Sequence, residues 1–334
     1  MRLKESTHPP RLSVITASYN CAQYLREAVG SILNQTFSDF EMVIVDDCSS
    51  DGSFELAQKL AKEDARVWPL CMPQNSGPAA TRNFGIQTAR GEWLGILDGD
   101  DVAMPRRFEE QFKLIDQDPN LIMVSSNSVS INSDGDALRA HTYPTNHEDL
   151  VRNLHGRKAI PPHSSMVYRK DLVDAIGGFN VRFKRSQDYD LWLRLSELGR
   201  LASVPQPLVK MRKHSSNISN TEGGRMQYLY GCAAAVCHYL RAAKRPDPSV
   251  GVDEDYWIRF WTWLTGLPVV NDEFERRTAW SKSRERYWGC KSRSVGMFGL
   301  ASDLLRSGHA TALLWEKTFG SSLPKHLAQE WMRP

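Results

Sequence analysis

No stretch of this chain approaches the ~20 consecutive apolar residues that a membrane-spanning helix needs. The longest candidate, Leu229 to Leu240, is shorter and carries His238. The opening residues, MRLKESTHPPRL, hold no apolar segment of the signal-peptide kind, which sets the expectation of a cytoplasmic location. The six cysteines (Cys21, Cys48, Cys71, Cys232, Cys237 and Cys290) show neither CxxC pairs nor zinc-type histidine spacing. Free, mostly buried thiols are expected, not a disulfide framework. No GxGxxG follows the first apolar run, which removes the dinucleotide-oxidoreductase fingerprint. A Gly-rich phosphate loop with lysine is equally missing from Leu12 to Gln23, which counts against a nucleotidyltransferase.

What is present is the composition of a soluble globular chain: 334 residues, 41% hydrophobic and 24% charged, with mean hydropathy -0.45. That length buries one large core, or one domain and an appendage. The net charge of +3 conceals an asymmetry, and no nucleic-acid partner is expected from it. Residues 1–224 carry 26 Lys+Arg against 28 Asp+Glu, while residues 225–334 carry 16 against 11 and hold seven of the ten tryptophans. A boundary near Thr221 to Gly224 follows.

Apolar runs and amphipathic segments alternate through the first part. Leu12 to Thr16, Glu41 to Val45, Arg66 to Cys71 and Leu121 to Ser126 read as strands, with amphipathic helices between them. Pro78 and Pro105 are placed to open helices, the second with Phe108, Phe112 and Ile115 facing inward. Asn127 to Lys158 is rich in loop residues. Ser164 to Arg169 reads as a strand, a short helix follows, and Arg185 to Asp190 opens another with Tyr189, Trp192, Leu195 and Leu198 inward. Val204 to Arg212 runs extended. Strand alternating with helix is the α/β signature, and such sheets bind ligands beyond the carboxyl ends of their strands.

The chain is organised around GEWLGILDGDD, residues 91–101. Its apolar run reads as a buried parallel strand. Three carboxylates at the strand end are costly to crowd together unless something positive joins them, and hard oxygen ligands suit Mg²⁺ or Mn²⁺. A solvated acidic turn is the competing reading. Asp46-Asp47 and Tyr19-Asn20 fall on the same sheet edge, which favours a shared site over independent turns.

Taken in order, SVITASYN, SILNQTF, VIVDDCSSDGS, NSGPAATRNFGI, GEWLGILDGDD, GGF, QDYDLWLRL and KHSSNIS resemble the family 2 glycosyltransferases, over residues 11–220. The resemblance implies a GT-A fold: a Rossmann-like, mostly parallel α/β sheet flanked by helices, in a catalytic domain over residues 1–224. It implies an inverting transfer of sugar from a nucleoside-diphosphate sugar, a UDP-sugar foremost, to a hydroxyl of a glycan or lipid-linked glycan in bacterial surface-polysaccharide synthesis. Nucleotide-sugar contacts are implied for Ala17, Tyr19, Asp47, Arg82, Asp98, Gly99 and Asp100, and Mn²⁺ or Mg²⁺ binding for Asp100, Asp101 and His214. Asp188 is implied as the general base, although Gln187 stands where the family carries a glutamate. A metal-dependent sugar nucleotidyltransferase and an inactive nucleotide-sugar-binding module are the alternatives.

Each residue also has a plainer reading. Asp47 or Asp188 could cap a turn or helix, Arg82 could be a helix-surface charge, and His214 an exposed loop histidine. Gly177-Gly178 could merely stop a helix, and Trp192 is expected in the core. The helical, basic, tryptophan-rich extension over residues 225–334 is open to three readings: peripheral contact with the inner face of the cytoplasmic membrane, a packed helical subdomain, or a homodimer seam.

Overall fold

A computed structural model describes residues 8–215, 217, 224–251, 254–288 and 323–332. Boundary residues Thr221 to Gly223, and Lys291 and Arg293 of the basic extension, lie outside the described residues. The chain divides into two compact units, Met1–Thr221 and Glu222–Pro334.

In the first unit, β1 (Leu12–Ser18), β2 (Phe40–Asp46), β3 (Val67–Cys71) and β4 (Trp93–Ile96) alternate with helices α1 (Ala22–Leu33), α2 (Ser53–Glu63) and α3 (Pro78–Thr88). They are followed by β5 (Val102–Ala103), α4 (Arg107–Gln117), β6 (Leu121–Ile131), β7 (Ala137–His141) and α5 (His147–His155), then β8 (Val167–Arg169), α6 (Lys170–Ala175), α7 (Gln187–Ser196) and β9 (Arg200–Arg212). Among the described residues these strands form one sheet in the order β3-β2-β1-β4-β8-β6-β9-β5, with β7 on β6. The β3-β2-β1-β4 run is parallel. Within it, β1, β2 and β4 are buried on both faces and correspondingly apolar along most of their length. Phe108, Phe112 and Ile115 of α4 are buried, as their helical spacing requires.

The other half of the sheet is mixed, and that matters for function. β4 was expected among parallel neighbours; it is parallel to β1 but antiparallel to β8. The chain enters β8 through a 3₁₀ turn, His163–Ser165, at the carboxyl end of β4. Antiparallel entry therefore lays His163 to Ser165 beside the acidic strand end. In the same way β5 pairs antiparallel with the end of β9, which brings Arg212 alongside Asp100 and Asp101.

Two expectations need correction. Leu198 is 49% exposed, because α7 ends at Ser196 and the chain turns out before its next inward position. Asn127 to Lys158 holds more regular structure than its composition suggests: β6 continues to Ile131, pairs with β7, and α5 follows. The buried Ser125, Ser126, Asn127, Ser128 and Ser130 resemble a loop in composition. Asn127 stays satisfied inside the sheet by donating to Pro205 O and accepting from Tyr143 N.

In the second unit, α8 (Arg225–Ala242), α9 (Glu254–Gly266), α10 (Pro268–Trp288) and α11 (Leu323–Trp331) are described. Trp257 of α9 is buried; Trp261 stacks on Tyr230 with centroids 4.4 Å apart, and Trp263 meets Trp331 at 4.9 Å. Among the described residues no helix is long and apolar enough to cross a membrane.

Candidate active site

The loops after β1 and β2 are stitched together before any ligand arrives. Asn20, in the left-handed region at φ 48°, accepts from Ser50 N and donates its own N–H to Ser49 Oγ. Asp51 accepts from Ala22 N at the start of α1 and from Ser53. This leaves Tyr19 52% exposed at the strand end, with Ala17 half-buried behind it.

Asp47 is buried and uses both oxygens on the next loop, accepting from Ser76 N and Gly77 N at 2.8 Å each. It therefore holds the entry to α3 and caps no turn of its own. α3 in turn carries Arg82, which is 6% exposed and donates to Asp98 Oδ1 at 2.7 Å. The helix-surface reading of Arg82 fails on that burial. End of β2, start of α3 and end of β4 thus form one braced chain.

Gly99 follows. A Cβ there would lie 2.7 Å from Cys21 Sγ, so only glycine lets the acidic turn pack on the first loop. Burial pushes the Cys21 thiol up to about 11, leaving it an inert packing group.

The three acids have different surroundings. Burial raises Asp98, but the Arg82 charge, the His163 ring and the hydrogen bonds from Arg82 and Ser164 together hold the carboxyl below its usual range. Burial, followed by the charge on Asp98, pushes Asp100 up. Asp100 Oδ2 lies 2.9 Å from His214 Nε2 and accepts from Asn217 Nδ2 at 3.2 Å. Asp101 is pushed well up by burial and then by Asp100 and Asp98. Its oxygens accept from Ser164 Oγ and from Arg212 N. The structure thus brings Asp100 and His214 together and turns Asp101 towards Ser164 and Arg212. Among the described residues, no group of three or more His, Cys, Asp or Glu side chains gathers as a metal cage.

The donor chemistry nonetheless fits a Mg²⁺ or Mn²⁺ ion. A carboxylate and an imidazole converge at Asp100 and His214, and carboxylates raised by burial and then by mutual repulsion would be relieved by a cation. Such ions normally complete their shell with waters and substrate phosphates, so two protein ligands suffice.

Asp188 stands in the first turn of α7, after Ser186 in the left-handed region at φ 54°. Its Oδ1 accepts from Tyr189 N at 2.8 Å. Burial raises its pKa, opposed by that N–H and by Arg82 and reinforced by Asp98. Asp188 therefore lies within electrostatic reach of the Arg82–Asp98 pair. Trp192, one turn on, is buried and donates Nε1 to Tyr168 OH at 2.6 Å.

Gly177-Gly178-Phe179 does more than stop α6. Asn83 of α3 donates to Phe179 O and accepts from Phe179 N, while Arg194 of α7 donates to Ile176 O and Gly178 O. The segment ties the helix carrying Arg82 to the helix carrying Asp188. Reasoning from sequence missed Ser164, Arg212, Asn217, Asn83 and Arg194. Spacing carries no signal for the first two, whose roles arise from strand pairing between distant segments. The NSGPAATRN stretch does contain Asn83.

The chain is similar to known proteins in sequence and in fold. Residues 13–177 match the model of Glycosyl transferase family 2. An uncharacterized glycosyltransferase of Methanocaldococcus jannaschii is 30% identical over 187 residues, covering 55% of this chain and 64% of that protein. Chondroitin synthase of Pasteurella multocida is 32% identical over 212 residues, covering 63% of this chain but only 21% of the synthase. The chain thus spans less than two thirds of either relative. Among solved structures, S. aureus TarS 1-349 in complex with UDP-GlcNAc superimposes with TM-score 0.58 at 16% identity, over 82% of this chain and 81% of that one. The mannosyltransferase PcManGT of Pyrobaculum calidifontis, in complex with GDP-Man and Mn²⁺, gives 0.54 at 17% identity, over 98% and 89%. At those identities the likeness shows the fold, which is GT-A.

Proposed function

Since the chain belongs, through residues 13–177, to glycosyl transferase family 2, we propose that it moves a sugar from a nucleoside-diphosphate sugar to a hydroxyl of a glycan or lipid-linked glycan acceptor. A UDP-sugar is the first choice of donor, in keeping with the UDP-GlcNAc complex of TarS. The place of such a reaction is polysaccharide synthesis, as in the chondroitin synthase relative. One observation carries the reading: a half-buried carboxylate, Asp188, at the start of α7 feels the charges of both Arg82 and Asp98, which are paired with each other.

The exposed Tyr19 ring supplies a stacking face for the nucleotide base, beside a loop that Asp47 holds rigid. Asp98 is held ionised by Arg82 and accepts sugar or ribose hydroxyls. Asp188 takes the proton of the acceptor hydroxyl, which is a poor nucleophile until a base is in place. Its raised pKa makes it a stronger base than an ordinary carboxylate. A single displacement from the face opposite the diphosphate inverts the anomeric centre. A Mn²⁺ or Mg²⁺ ion held by Asp100 and His214 would supply, when bound, the positive charge that a departing diphosphate requires. Asp101, tied to Ser164 and Arg212, braces that strand end.

A thermal-shift panel of UDP, GDP and their sugar conjugates with Mn²⁺ tests the reading, because a ligand binding only the native state raises its melting temperature. Stabilisation by a sugar nucleotide, with nucleoside diphosphate released on turnover, is expected. Pyrophosphate release from a nucleoside triphosphate would indicate a nucleotidyltransferase instead. Binding with no turnover on any acceptor glycan, and no donor hydrolysis, would indicate a binding module.

A further inference from the structure

One buried histidine beside the proposed donor site has no assigned task. His163, on the 3₁₀ turn that enters β8, is 8% exposed, and its Nε2 is buried with no hydrogen-bond partner. Arg82 spends one nitrogen on Asp98, while its Nε and Nη1 are likewise buried and unpartnered. A buried donor or acceptor left unpaired costs about 1–3 kcal/mol, so native chains rarely keep several together without a use.

The two side chains flank the Phe179 ring. His163 meets it edge-on with centroids 5.5 Å apart, and the Arg82 guanidinium lies 5.7 Å from its centroid. His163 also faces Tyr168 at 6.5 Å and Trp192 at 6.1 Å, the pair packed one turn from Asp188. The cluster therefore lies between the Asp98 strand end and the helix of Asp188. A sugar transferred between those two groups passes beside it. Aromatic edges with a few unpaired polar atoms are what a sugar ring, apolar on its faces and hydroxylated at its rim, requires.

We propose that His163 is a specificity-determining residue for the transferred sugar, its Nε2 taking a hydroxyl or other polar substituent of the ring with Arg82 Nε and Nη1 beside it. The inference rests on the glycosyltransferase reading above. Burial, and then the Arg82 charge, push His163 down to about 3, so the ring is neutral at physiological pH. A neutral imidazole pairs with a hydroxyl, as donor or acceptor by tautomer, and offers a diphosphate no charge.

The test is isothermal titration of the full chain with UDP, UDP-GlcNAc, GDP and GDP-mannose in Mn²⁺, for the parent, His163→Leu and His163→Gln. Glutamine carries its amide about as far out as Nε2; leucine has no polar atom. In His163→Leu the sugar nucleotide should lose about tenfold in affinity, the worth of one hydrogen bond. Affinity for the bare diphosphate should stay within about twofold, and His163→Gln should restore most of the loss. Should His163→Leu fail to melt cooperatively without ligand, His163→Met, apolar and adaptable in shape, is read the same way. Equal losses for diphosphate and sugar nucleotide, or no loss for either, overturn the inference and leave the glycosyltransferase reading standing. A parent that binds none of the four ligands overturns both.

Discussion

At the residue scale the informative groups are those whose surroundings set their charge. Asp188 works as a base only when ionised, and its pKa is raised by burial. The acid limb of log kcat should therefore break above the usual carboxylate value of about 4, falling about tenfold per pH unit below the break. A rate that stays flat down to pH 4 would contradict the assignment. The same shift has a stability sign. Between the ordinary and the raised pKa, the folded state keeps a proton that the unfolded chain has released, so this group's contribution falls as pH rises through that window. Asp188→Asn removes the cost of ionising a half-buried carboxylate. It should melt higher than the parent at neutral pH, with the difference shrinking towards acid. Most of these residues are legible in the sequence because an apolar strand that ends abruptly in carboxylates is a local pattern. Ser164 and Arg212 are not. Each is an ordinary polar residue until antiparallel pairing, decided many residues away, lays it against Asp101.

At the scale of elements, the site depends on how α3 and α7 are held. Gly178 sits at φ 70°, and a Cβ there would come within 2.5 Å of Asn83 Oδ1. Gly177 is also left-handed, at φ 78°, but has open space around its missing Cβ. Alanine at either position incurs backbone strain of about 1–3 kcal/mol. Gly178→Ala should in addition push Asn83 off Phe179. Urea denaturation should thus show a lower midpoint for Gly178→Ala than for Gly177→Ala, and kcat should fall further in the former. Equal midpoints would remove the brace between the two helices from the account. The GGF pattern is visible in the sequence, but its partners are not, since Asn83 and Arg194 read as surface residues of their own helices. β6 was obscured for a different reason. Ser125 and Asn127 donate to Ala202 O and Pro205 O of β9 while Ser130 pairs with His141 of β7, and no local window reveals those pairings.

For the whole molecule, the two compact units suggest separate tasks. We expect the acids, Arg82, Asp188 and the proposed metal pair to function from residues 1–224. That segment expressed alone should bind a sugar nucleotide within about threefold of the full chain, since no residue assigned to the site lies beyond it. In the extension, the tryptophans with described side chains pack on Tyr230, Phe260 and one another. Packing of that kind occupies these four rings, so sedimentation with anionic liposomes should not exceed the protein-only control. Retention that is lost on deleting residues 225–334 would restore the membrane reading. The composition shift is legible in the sequence; what the extension does is not, because tryptophan-rich helices look alike whether they face lipid or one another.

The central claim is that Asp188 acts on the acceptor and not on the donor. It is tested most directly by measuring sugar-nucleotide affinity and transfer rate side by side for the parent and Asp188→Asn, with Mn²⁺ present. The account predicts donor affinity within about twofold of the parent and a transfer rate reduced by about 10²–10⁴. Transfer near the parent rate would contradict it, as would a loss of donor binding large enough to explain the lost turnover.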